Sequence, residues 1–218
     1  MKEHFKLSYQ TQGIPAPFAF AAVVEVTFMK QDVHVNCELE YLNRDELSHE
    51  EILAEGFSGE DDLKWQGRLG EGWKDPLRKV LKVSKLPEPH ANFYLHMEHQ
   101  GKSYFPALND DTIVQELIQG IFEADNREAP LKILFNQKNS TSTCIWSFAS
   151  RTAQIDSHFI AWEKGHEFMR LIYQHTLDQE KTFDRPKEKS VSFDGNYWVA
   201  ISNEEVWNKL KALMPSKK

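Results

Sequence analysis

The chain has 218 residues, 40% hydrophobic and 27% charged, a composition that supports a packed core and excludes disorder throughout. Residues 1–129 hold 13 Lys/Arg and 23 Asp/Glu, while residues 130–218 hold 13 and 10, so the negative charge belongs to the first part. No apolar run is long enough for a membrane-spanning helix, and no basic face is dense enough for nonspecific nucleic-acid binding through phosphate neutralisation.

Along the chain, the apolar run Ile14–Val24 follows Lys2 and Lys6, as the core of a signal peptide does. Pro15 and Pro17 interrupt it and its pattern continues as strand past Glu25, so it is not read as a targeting segment and the expected location is cytoplasmic. From Phe18 to Leu42 the spacing predicts an antiparallel hairpin. Phe18, Phe20, Ala22, Val24, Val26 and Phe28 alternate on one strand; Val33, Val35, Cys37, Leu39 and Tyr41 alternate on the other. The opposite face of the return strand carries His34, Asn36, Glu38 and Glu40 and is expected to be wet.

Between Glu38 and Asp62 ten carboxylates stand against one cation, Arg44. Inside this window Ser48 and Glu51 form a capping-box signature, with Asp45 as an alternative cap and Gly56 as the stop of a short helix. The segment Gly56–Trp73 then holds five of the ten glycines and two of the six tryptophans and reads as a mobile surface loop. Asp75 and Pro76 mark the next helix start, with Leu77, Val80 and Leu81 facing inward.

Leu86–His90, with two prolines, is a connector. A hairpin follows, with Phe93, Leu95 and Met97 alternating against Tyr94, His96 and Glu98, and a turn at His99–Lys102. Thr112 and Gln115 are expected to cap a helix with the stripe Ile113, Val114, Leu117, Ile118, Ile121 and Phe122. Beyond Pro130, strands at Leu131–Asn136 and Thr143–Ser150 flank a polar loop, and a helix is predicted over His158–Leu177. Lys181–Lys189 reads as a solvated linker, Asp194-Gly195 as a tight hairpin turn, and Ser202 with Glu205 as the cap of the last helix.

Strands arriving in adjacent pairs with helices between them argue for an α+β fold: a mainly antiparallel sheet built from hairpins, with amphipathic helices packed on it. The default organisation is one domain over 1–218, the alternative two lobes dividing near residues 125–130.

No motif dictates a reaction, so no catalytic residue is assigned. Gly67-Arg68-Leu69-Gly70-Glu71-Gly72 lacks the Lys-Ser/Thr of a phosphate loop and carries Glu71 where an anion would sit. Cys37 and Cys144 lie in strand patterns and read as small buried hydrophobes. His96, Glu98 and His99 have no metal-ligand spacing, and neither a metal nor a cofactor is expected. Two binding readings remain. In the first, Glu60, Asp61 and Asp62, together with Trp65, Arg68 and Trp73 of the expected loop, meet a basic protein or a ligand. In the second, a pocket between sheet and helix around His96 and Glu98 takes a small molecule, as a binding protein or as an enzyme. The sequence sets no oligomeric state.

Overall fold

A computed structural model describes residues 3–83, 94–104, 111–138, 140–174 and 178–214. The expected Leu86–His90 connector and Phe93 lie outside the described residues. The fold is α+β, with two antiparallel sheets and five helices among the described residues, and the chain forms two compact units, Met1–Arg127 and Glu128–Lys218. Among the described residues no helix is long and apolar enough to cross a membrane.

In the first unit, β1 (His4–Gln10), β2 (Phe20–Phe28), β3 (Val33–Tyr41) and β4 (Leu63–Leu69) form a meander, and β5 (Leu95–His99) and β6 (Lys102–Tyr104) pair beside β1. The sheet order is β4-β3-β2-β1-β5-β6. Hairpin β2–β3 has the predicted two faces: Val24, Val26, Val33, Val35, Cys37 and Leu39 are buried, while Asn36, Glu38 and Glu40 are exposed. The buried face packs beneath α2 (Lys74–Val83) and α3 (Asp111–Ala124), as the Arg78 guanidinium over Phe28 and the Gln115 bond to Tyr9 mark. The capping box forms as expected, Ser48 and Glu51 exchanging bonds at the head of α1 (His49–Ala54).

The expected mobile loop is not one. Within Gly56–Trp73, residues Leu63–Leu69 are strand β4, paired with β3 from Leu63↔Leu39 to Leu69↔Val33. Its glycine has a packing reason: a Cβ on Gly67 would stand 2.2 Å from the Trp65 indole, which lies over it. Strand β1, with Phe5, Leu7 and Tyr9 buried, was not among the predicted elements. Asp45 lies in a 3-10 turn (Arg44–Glu46) rather than capping a helix, and Thr112 lies inside α3 rather than at its cap.

The second unit contains β7 (Leu131–Gln137), β8 (Ser140–Ser147), β9 (Thr152–Ile155), β10 (His158–Ile160), α4 (Trp162–Gln174), β11 (Asp178–Phe183), β12 (Ser190–Ser192), β13 (Trp198–Ala200) and α5 (Glu204–Leu213). The predicted long helix is shorter at its start, because His158–Ile160 pairs with β9 as a strand. Its buried stripe is Gly165, Phe168, Met169, Leu171 and Ile172, so Phe159, His166 and Tyr173 stay exposed. The polar loop after β7 shrinks, since β8 begins at Ser140, and the expected 181–189 linker gives its first residues to β11. Asn203, not Ser202, caps α5, accepting from the amides of Glu205 and Val206.

The second sheet has the order β10-β9-β8-β7-β12-β13-β11. Apart from β11, this is the order of the first sheet. With α1 of the first unit and β11 of the second set aside, each unit runs as four meandering strands, a helix, a hairpin beside the first strand, and a closing helix.

Candidate functional site

Because β3 and β4 alternate strictly, every second residue of the first sheet faces away from α2 and α3. Register places these residues in rows across the sheet. One row is Lys64–Glu38–Val23–Ser8–His96; the next is Gln66–Asn36–Glu25–Lys6–Glu98. Short side chains (Ser8, Ala21, Val23) occupy the middle and long ones (Glu38, Glu40, Lys64, His96) the margins, so the face is dished. A concavity of about 450 Å³ results, bordered also by Asp62 and Tyr94. Its charges are solvated: the Lys64–Glu38 pair is 3.8 Å apart with the two side chains 84% and 72% exposed. Between the second of these rows and its neighbour, in which His34 faces Arg68, Gln66 Nε2 and His34 Nε2 approach to 3.3 Å.

The acidic window divides into carboxylates that hold the fold and carboxylates that face water. Asp61 accepts from the Ser58 amide at 2.5 Å, the Ser58 hydroxyl at 2.7 Å and Arg44 Nη1 at 3.1 Å. Burial pushes the Asp61 pKa upward, but the Ser58 bonds and the Arg44 charge outweigh it and hold it below the ordinary carboxylate value. Arg44 also donates to the carbonyls of Pro17 and Ser58 and stacks 3.8 Å over Tyr41 and 4.7 Å over Phe57. Asp62 accepts from the Tyr41 amide at 2.9 Å, and Arg127 at the end of the unit donates to the Asp61 and Asp62 carbonyls. Glu51 is spent on its capping box, whose Ser48 bonds lower its pKa. Glu60 is exposed, its amide held by the Ser58 hydroxyl.

The remaining candidates do not form one site. Trp73 is wholly buried in the core, so it presents nothing to a partner. Trp65 lies half-buried on the helix side of β4 and Arg68 on the opposite side, 3.5 Å from Asp32. His96 and Glu98 share a face of β5 as expected, but it is the face away from α2 and α3, beside the buried Leu95 and Met97. The structure thus sets His96 and Asp62 on opposite margins of one concavity. It also recruits Glu38, Glu40 and Lys64. The alternation of β3 already put the two glutamates on a wet face, but their place opposite His96 depends on β1 and β2 lying between.

Nucleophilic chemistry finds no support in the thiols. Cys37 and Cys144 are free, 2% exposed and pushed up to about 12 by burial, with Glu38 adding to the effect at Cys37. Glu163 and His166 of α4 are exposed, His166 lying edge-on to Trp146. Among the described residues no three His, Cys, Asp or Glu side chains converge as metal ligands. Comparison with protein-family models, with curated proteins and with solved structures returned no match.

Proposed function

We propose that the chain is a binding module, and that the open face of the first unit's sheet meets a cationic segment of a partner protein. The observation that carries this reading is the meeting of Glu38, Glu40 and Asp62 on the border of one open concavity. Carboxylates exposed in this way steer a positive partner and set its register, and they do so without excluding water. An open dish of exposed charges is poorly suited to catalysis, where preorganised dipoles act in a dry site. The first unit supplies the field, with 13 Lys/Arg against 22 Asp/Glu over residues 1–127. Free buried thiols are in keeping with a cytoplasmic setting.

The test is titration of a fluorescent lysine- and arginine-rich peptide, followed by anisotropy at low and high salt. Saturable binding that weakens with salt is expected, with a loss of about tenfold or more in the double reversal Glu38→Lys, Glu40→Lys. Unchanged affinity in that variant would sink the proposal.

A further inference from the structure

We infer that the first unit holds a second site, adjoining the polar concavity at Tyr9 and Tyr94: a pocket for a small neutral aromatic molecule between the β1–β2 loop and α3. It is a concavity of about 430 Å³ on the helix side of the sheet, within the usual size range of small-molecule sites. Ile14, Phe18, Phe20, Tyr94, Ile118 and Phe122 form its apolar walls.

Four observations carry the assignment. First, none of the eleven lining residues is Asp, Glu, Lys, Arg or His, in a chain that is 27% charged. A charged ligand would lose its hydration there without gaining a counter-charge, so the occupant is neutral. Second, five of the eleven are aromatic, which favours a planar ring that stacks or meets ring edges over a flexible alkyl chain.

Third, the pocket is preformed. Ile14 and Phe18 are 47% and 43% exposed, yet the loop bearing them is tied down at several points. The amides of Phe18 and Ala19 donate to Pro15, Thr11 exchanges bonds with Phe20, and Arg44 Nε grips the Pro17 carbonyl at 3.2 Å. A fixed apolar wall left open to water is a surface that gains by being covered, and its ordering cost is already met in the free protein. Fourth, Gln115 Nε2 donates to Tyr9 Oη at 2.9 Å, which fixes the carboxamide at the wall and leaves its Oε1 as the acceptor for one ligand donor.

N-phenyl-1-naphthylamine fits this description, being neutral and aromatic with a single N–H, and it brightens on leaving water. Its relative 8-anilinonaphthalene-1-sulfonate has the same rings with a fixed negative charge. Saturable one-to-one binding of the amine is expected, at least about tenfold tighter than the sulfonate. Ile14→Trp, which fills the pocket, and Phe18→Ala, which removes a wall, each weaken the amine by about tenfold or more while the thermal transition shows a folded protein. Glu38→Lys with Glu40→Lys leaves amine binding unchanged, which separates this site from the polar face. Gln12→Lys, on the exposed margin of the pocket, brings the sulfonate to an affinity near that of the amine. Non-saturable brightening of the wild-type protein overturns the inference. So does equal affinity for the two dyes, a wild-type response in both Ile14→Trp and Phe18→Ala, or an unchanged preference in Gln12→Lys.

Discussion

The two units share an order of strands and helices but differ in two respects that bear on function. The connection from the third to the fourth strand takes residues 42–62 in the first unit and only Asp156 and Ser157 in the second. The long connection holds α1, the Arg44 clamp and most of the acidic window. Their helix-free faces differ as well. The row Lys64–Glu38–Val23–Ser8 of the first sheet is matched in position by Phe159–Gln154–Ile145–Lys132 in the second, which has no carboxylate. One scaffold thus carries two unlike surfaces, and the functional reading attaches to a surface and not to the topology.

The cores offer the strongest way to probe that likeness. In the second unit α5 is anchored by Trp207, 3% exposed and stacked 4.7 Å from Phe135 of β7. Trp207→Ala is expected to cost about 3–5 kcal/mol in denaturant unfolding, the range for truncating a buried aromatic. A loss under about 1 kcal/mol would mean that α5 does not seal the sheet this way.

Arg44 tests the contrast directly, since the second unit has no counterpart to its connection. Arg44→Leu removes bonds to Pro17, Ser58 and Asp61 and leaves Asp61 without its cation, for about 2–4 kcal/mol in the same assay. Arg44→Lys is expected to recover less than half, since an ammonium cannot span the three acceptors or lie flat on Tyr41.

A smaller effect is expected at Gly165, where a Cβ would come 2.5 Å from the Cβ of Ala153. Alanine gains about 1 kcal/mol of helix propensity there, but displacing α4 from β9 costs about 1–3 kcal/mol, so Gly165→Ala lowers the unfolding midpoint. A raised midpoint would show that α4 sits farther from its sheet.

The smallest effect is a pH dependence. The folded-state pKa of Asp61 is depressed below 3.8, so its contribution is present above that value and is lost as pH falls through the folded pKa. Urea midpoints should therefore separate wild type from Asp61→Asn at pH 7 and converge below pH 3.8. A constant gap across that range would remove the ionic part of the clamp.

Local sequence determined a good deal. The alternation of Phe20–Tyr41, the Ser48–Glu51 box and the apolar stripe of α3 each act through neighbours a few residues away, and each is present. The expected tight turn at Asp194-Gly195 is instead a five-residue connection, 193–197, between β12 and β13, in which Asp194 accepts from the amides of Asn196 and Tyr197. Strand β4 is hidden in the sequence because Gly67 has the chemistry of a loop, whereas in the fold its missing side chain makes room for the Trp65 indole. The start of α4 moved for a similar reason, since pairing with β9 drew His158–Ile160 into the sheet against its helical spacing. The polar concavity and the apolar pocket were decided by tertiary structure alone. Register across four intervening strand contacts sets His96 in line with Glu38 and Lys64, and packing of α3 against the β1–β2 loop closes Ile14 and Phe122 around one space. Such non-local choices depend on which strands pair and in what order, which side-chain periodicity within one segment does not encode.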